Sequence, residues 1–189
     1  MGQRAVSRWR GCGAAAQRSE GAGAVSAPQP LAVDPVRNER EIARFWSSVV
    51  RGPGADDCWV WVGAIGDDGY GRFWIKRDGR QRAVRPHRYA LVLANGGAPL
   101  PLDWVSLHLC DVPLCVRAGA HVVAGTPREN SRDMAEKGRV RGRWNRWLPG
   151  TGRDRAERSR AVRAAVRDGW DGQRFRDALH GAGDHPALF

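Results

Sequence analysis

The chain has no long hydrophobic run. No stretch reaches the roughly 18 apolar residues that a membrane-spanning helix requires. Nor does an uninterrupted apolar segment of about 7–15 residues follow the early basic residues, as in a secretory signal. A soluble, cytoplasmic protein with no membrane partner is expected. Cysteine is scarce, with four residues in 189. Cys12 lies in a segment without periodicity, which leaves Cys58, Cys110 and Cys115. An odd set near histidines argues against the disulfide framework of a small secreted domain and for a metal. Acidic residues are the minority, 20 against 31 Lys and Arg, for a net charge of +11. That balance points to a polyanionic partner; the plainer alternative is a soluble basic protein with no such partner.

Residues 1–33 are rich in Gly, Ala, Ser, Gln and Arg, and cannot bury enough apolar surface to offset their ordering entropy. They are read as a disordered basic arm. A main domain is expected over residues 34–141, followed by a basic linker and helical extension over 142–189.

Asp34-Pro35 suits a helix start, and Ile42, Phe45, Trp46 and Val49 recur at helical spacing behind it. "CWVWVGAI" reads as a strand, with Trp59 and Trp61 as core residues rather than stacking platforms. "GDDGYG" is a turn into a hairpin, with strands over 72–76 and 80–85 joined at Asp78-Gly79. Its basic residues, Arg72, Lys76, Arg77, Arg80, Arg82 and Arg85, make a ribbon that fits the major groove of DNA. The same charges would equally serve a solvated hairpin guarding its edges.

A helix follows over 86–94 and stops at Asn95-Gly96. Its His87 is expected to be packed and hydrogen-bonded. Strands are expected over 104–109 and 121–124. Thr126-Pro127-Arg128-Glu129 is a capping box, so a helix runs from there to about Lys137. "RVRGRWNRWLPGTGRDR" is a basic linker containing Arg139, Arg141, Arg143, Trp144 and Trp147. A helix over 155–167 and a short third one resemble a reduced helix-turn-helix. His180 and His185 should be solvated.

The chemistry concentrates in "LHLCDVPLCVRAGAHVVAGTPREN". Cys110, Cys115 and His121 are three zinc ligands from one loop, and Cys58 supplies a fourth from a distant strand, completing a structural Cys₃His set. The alternative is that the cysteines are small buried hydrophobes. His108 shares a strand face with Cys110 and is a further candidate ligand. Left free, its imidazole could act as a base, and the Asn130 carboxamide is a hard oxygen ligand suited to Mg²⁺. Base plus hard cation is what phosphodiester hydrolysis needs.

The succession of strand with His108, cysteine loop, strand and helix with Asn130 resembles the ββα-metal, or HNH, nuclease finger. The likeness is to the zinc-braced kind of intron-encoded homing endonucleases and many phage and bacterial HNH proteins. It spans roughly residues 40–141, through "RFWSSV", "CWVWVGA", "GYGRF", "HRYALVLANG", "LHLCDVPLCV" and "GTPRENSRDMAEKGR".

The resemblance implies an α+β fold: a small zinc-braced ββα-metal finger with an N-terminal basic hairpin and a helical basic C-terminal extension. It makes His108 the general base, Asn130 the magnesium ligand, and Cys58, Cys110, Cys115 and His121 the zinc ligands. The implied activity is metal-dependent cleavage of double-stranded DNA to 5′-phosphate and 3′-hydroxyl ends. Cutting both strands would require a homodimer. Arg88 is the expected contact to the scissile phosphate, with Arg72 its rival. Arg72, Lys76, Arg80, Arg82, Arg139, Arg141 and Arg143 would hold the duplex through its phosphates.

Two departures stand out. The family loop reads Cys-Val-Asn-Pro-x-His, whereas this chain has "CVRAGAH", with Arg117-Ala118 in place of Asn-Pro and one residue added. Leu107 stands where many members carry an acidic residue before the base. The altered loop motivates a rival reading, a zinc-stabilised DNA-binding module without catalysis. An RNA-binding or structural protein has only the basic tail in its favour.

Overall fold

The computed structural model describes residues 30–137 and 152–180. Cys12, Arg139, Arg141, Arg143, Trp144, Trp147 and His185 lie outside them. The folded body begins earlier than the arm expected over 1–33 allows. Leu31 and Val33 are buried, and the Val33 N–H donates to the Gly97 carbonyl at 2.9 Å. Two apolar side chains in "PLAV" thus join the core.

The Asp34 carboxylate accepts from the N–H groups of Val36 and Arg37, so it closes a turn rather than starting the helix. Helix α1 is Glu39–Trp46. Val49, expected on the same helical stripe, belongs to strand β1 (Val49–Arg51), which pairs antiparallel with β2 (Trp59–Trp61). The β-branched pair Val49-Val50 favours the strand over one more helical turn. Phe45 is fully buried, its ring 5.6 Å from Trp61, 5.4 Å from Phe73 and 4.7 Å from Tyr89. This aromatic hub joins α1, β2, the hairpin and the following helix, and places Trp61 in the core as expected.

β3 (Ala64–Ile65), β4 (Gly71–Arg77) and β5 (Arg80–Val84) form an antiparallel sheet. Asp78 and Gly79 turn the hairpin at φ 50° and 75°, the left-handed pair that a two-residue hairpin demands. Phe73 and Ile75 face the core, while Trp74 and Lys76 face solvent. The ribbon is less uniformly basic than its sequence. Arg77 is bound by Glu41, Arg72 and Arg85 by Asp68, and Arg82 pairs in register with buried Ile75. Lys76 and Arg80 are exposed.

Helix α2 (Pro86–Ala94) is largely buried and supports the hairpin of β6 (Val105–His108) and β7 (Val122–Gly125). Their register runs from Val105↔Gly125 to His108↔Val122. Helix α3 (Pro127–Glu136) follows directly, capped as expected. Thr126 Oγ1 accepts from the Glu129 N–H, and the Glu129 carboxylate accepts from the Thr126 N–H at 2.7 Å.

Helices α4 (Gly152–Val166) and α5 (Gly172–His180) pack on one another and on the body. Val162, Val166 and Phe175 share one core with Cys58, Val60 and Val122. The described helical part of residues 142–189 is thus seated on the main body rather than set apart from it. The architecture is α+β throughout. Among the described residues, no helix is long and apolar enough to cross a membrane.

Candidate metal centre and the surface beside it

Backbone pairing gathers the metal-ligating residues. The Trp61 N–H donates to the Leu114 carbonyl at 2.8 Å, and the Val116 N–H to the Trp59 carbonyl at 2.8 Å. Val60 bridges Cys115, so the loop lies along β2 as a short extra strand. That register carries Cys115 to Cys58. Across the β6–β7 hairpin, the Leu109 N–H donates to the His121 carbonyl at 2.8 Å, which brings His121 to Cys110.

The ligand atoms of Cys58, Cys110, Cys115 and His121 all lie within 4.8 Å of one another. His121 Nδ1 is 3.4 Å from Cys58 Sγ and 3.7 Å from Cys115 Sγ. Bond lengths of about 2.3 Å to sulfur and 2.0–2.1 Å to nitrogen give a tetrahedron whose edges are roughly 3.5–3.8 Å, close to the two sulfur–nitrogen edges above. The fold brings together the four residues that the sequence singled out, and the Cys₃His cluster could hold a metal such as zinc.

The thiols act on one another electrostatically, as those of a cation-binding set would. Hydrogen bonds from Cys115 and Cys58 pull the Cys110 thiol down to about 2. The Cys115 thiol, bonded to Cys110, is pushed up to about 12, and Cys58 is pushed up by its bonds to Cys110 and Cys115. Three sulfurs so close cannot all ionise unless a positive ion sits among them.

The altered loop has its own brace. Arg117 Nη1 donates to the carbonyls of Asp57 at 2.6 Å and Gly54 at 3.1 Å. The guanidinium thereby ties the Cys115–His121 segment to the turn just before Cys58. Within the segment, His121 and Val122 N–H groups donate to the Arg117 carbonyl, and Gly119 takes φ 83°, which glycine alone adopts freely. Arg117 looked like a departure in the sequence; in the fold it links two parts of the metal centre.

His108 is not among the four clustered residues. Its Nε2 lies 3.1 Å from the Cys115 carbonyl, and its ring packs edge-on against His87 with centroids 4.6 Å apart. Burial lowers the His108 pKa; the Cys110 charge and the Cys115 carbonyl oppose that shift. His87 is packed as expected, and its buried Nδ1 has no hydrogen-bond partner among the described residues. Burial and the neighbouring His108, Arg85 and Arg88 push its pKa well down.

Asn130 sits in the first turn of α3. Its Nδ2 makes only a long contact of 3.8 Å to Met134 Sδ, and its Oδ1 accepts no hydrogen bond from the described residues. Lys137, at the other end of α3, bonds Asp133 at 2.7 Å, Asp111 at 3.1 Å and the carbonyls of His108 and Leu109 at 3.3 Å each.

Arg88 reaches across to the segment before β6. Its Nη1 donates to the Trp104 carbonyl at 2.7 Å and its Nη2 reaches the Pro101 carbonyl at 3.5 Å, which holds the approach to β6. Sequence reasoning does not single out Tyr70, whose ring lies 6.1 Å from His108, or the Asp68 and Arg155 gathered around Tyr70. Tyr70 and Asp68 were read only as parts of a turn. Arg155 is 87 residues from its partner Asp68, beyond the reach of any local pattern.

Comparison with known proteins finds relatives in a bacteriophage. The chain is 39% identical to Protein 7.7 of Escherichia phage T7 over 84 residues, 44% of this chain and 59% of that protein. It is 43% identical to Protein 2.8 of the same phage over 82 residues, 43% of this chain and 52% of that protein. The matched stretch spans between half and three-fifths of these relatives' length, and neither name states an activity. No family model matches the chain. No solved structure matches it.

Proposed function

We propose that the chain is a metal-dependent DNA endonuclease of the HNH kind, its β6–β7–α3 unit serving as the ββα-metal finger. The orientation of His108 carries this reading. A carbonyl oxygen only accepts, so the ring nitrogen facing Cys115 bears the proton and Nδ1 keeps its lone pair. Nδ1 then takes a proton from water, whose oxygen attacks the phosphorus of a DNA phosphodiester in line. His87 and Tyr70, packed on the same ring, hold it at that angle.

Asn130, with its Oδ1 unclaimed among the described residues, would hold Mg²⁺, which in this chemistry offsets charge on the phosphate and on the departing 3′ oxygen. Cys58, Cys110, Cys115 and His121 would hold zinc; four protein ligands leave no open position, so that ion braces the finger. The products are 5′-phosphate and 3′-hydroxyl ends. Exposed Lys76 and Arg80 on the hairpin favour phosphate contacts along a duplex.

The experiment is nicking of supercoiled plasmid by the zinc-loaded chain, with and without Mg²⁺, beside His108→Ala. Mg²⁺-dependent nicking that the substitution abolishes is expected. DNA binding with no nicking by the wild-type chain, on plasmid or pooled genomic fragments, would replace this reading with the non-catalytic DNA-binding module.

A further inference from the structure

Three guanidinium groups converge on Asp68, two of them over Tyr70, the ring that lies next to His108. Arg85 grips Asp68 with both terminal nitrogens, at 3.1 and 2.5 Å, and Arg72 Nη2 reaches the same carboxylate at 3.2 Å. Arg155 arrives from α4. Its Nε donates to the Asp68 main-chain carbonyl at 2.7 Å, so its charge is not cancelled by the carboxylate. Arg155 Nη1 and Nη2 have no acceptor among the described residues.

The Arg85 and Arg155 guanidinium carbons lie 4.9 and 5.3 Å from the ring centroid of Tyr70, and that ring is 6.1 Å from His108. The Arg72, Arg85 and Asp68 side chains keep 28%, 36% and 34% of their exposure, so the group is open to solvent yet fixed in place. Gly69, at φ 81°, lets α4 approach this closely: a Cβ there would lie 2.8 Å from Arg155 main-chain atoms.

We propose that Arg72, Arg85 and Arg155, gathered on Asp68 around Tyr70, form a clamp for a backbone phosphate of the DNA strand beside His108, and that α4 is therefore part of the active surface. The clamp's place beside the reacting phosphate rests on the nuclease reading above; its affinity for DNA does not. Three cations against one carboxylate leave positive charge in excess, where a purely structural network would balance. Planar guanidinium groups match the two non-bridging oxygens of a phosphodiester, and stacking on Tyr70 keeps their planes set before DNA arrives. Asp68 is a positioning residue. Arg88, committed to the carbonyls of residues 101 and 104, is not part of the clamp.

The test uses the full zinc-loaded chain and Arg155→Gln, which keeps a donor for the Asp68 carbonyl but loses the charge. Arg155→Lys restores charge without the planar fork, and Arg158→Gln removes the same charge from an exposed position on α4. Duplex binding is measured in Mg²⁺-free buffer across a salt series, and plasmid nicking with Mg²⁺.

Arg155→Gln should weaken binding roughly tenfold to a hundredfold, the range for a charge-assisted hydrogen bond. It should also reduce the slope of log affinity against log salt by about 1, and lower nicking in parallel. Arg155→Lys should recover part of the binding, and Arg158→Gln should change it by about twofold or less. Equal binding and salt slopes for Arg155→Gln and Arg158→Gln would overturn the clamp, whether or not the chain nicks. If the wild-type chain binds but does not nick, the nuclease reading fails and the binding series alone judges the clamp.

Discussion

Cys110 and Asn130 lie close to the same β6–β7 hairpin, one beyond the end of β6 and the other in the helix after β7, yet their surroundings are opposite. The candidate metal centre is half closed to solvent and held by backbone. Cys58 and Cys115 keep 4% and 0% of their exposure, and main-chain hydrogen bonds run from the loop into β2 on both sides of Cys115. Helix α3 buries none of its side chains. It is tied by its capping box at one end and by Lys137 at the other. A helix of this length is marginal without tertiary packing, so a few polar contacts set where Asn130 stands. The molecule puts its rigidity where four ligands must meet, and leaves the proposed magnesium side to contacts whose loss would cost activity before it cost the fold.

The largest effect should come from breaking the metal centre. Cys115→Ala removes a buried ligand, and loss of a structural metal belongs with the changes that cost more than about 4–5 kcal/mol. At roughly 2–4 °C per kcal/mol for a chain of this size, melting should fall by about 10 °C or more; a zinc assay should find tight binding gone. An unchanged melting temperature would put the brace elsewhere.

Lys137→Met should separate the two regions. Its ammonium is partly exposed, so stability should change by about 1 kcal/mol or less. Nicking should nonetheless fall about tenfold to a hundredfold as α3 drifts from β6, with Lys137→Arg restoring part of it and zinc content staying the same. Equal activity in the Met variant would mean that α3 needs no such clamp.

Arg117→Ala takes the side-chain donor from the Asp57 carbonyl and one of two donors from the Gly54 carbonyl. A cost of about 1–3 kcal/mol is expected, read in chemical unfolding, together with faster zinc release to a chelator. The smallest effect is Thr126→Ala, about 1 kcal/mol for a lost helix cap. It should appear as faster amide exchange confined to the first turn of α3, and exchange spreading into the metal centre would show the two regions to be one unit.

What the sequence made legible follows the same division. The Cys₃His set could be read because metal ligation restricts residue type and spacing severely: three cysteines, one histidine and a loop of fixed reach. The α3 start was legible because a capping box is local chemistry. The hairpin turn at Asp78-Gly79 and the whole span of α2 were legible for the same reason.

The misses are contacts at long range. Nothing near Arg155 or Asp68 in sequence signals their meeting. The bonds from Arg88 to the carbonyls of residues 101 and 104 likewise span 13 and 16 residues. Leu31 and Val33 were lost in a polar arm because two apolar residues make no pattern, and Val49 was counted on a helix because four positions fit one period. The basic ribbon was overcounted, since composition cannot show that Glu41 and Asp68 bind three of its arginines.

The proposed function requires the Cys₃His cluster and His108 to be separate, so that one can brace the finger while the other is free to take a proton. The most direct measurement is the zinc-edge X-ray absorption spectrum of the zinc-loaded chain and of His108→Ala. The predicted result is one zinc with three sulfur ligands and one nitrogen in both proteins, with the nitrogen lost only in His121→Ala. Loss of a nitrogen ligand in His108→Ala would place that imidazole on the metal, where it could not serve as a base, and would contradict the account.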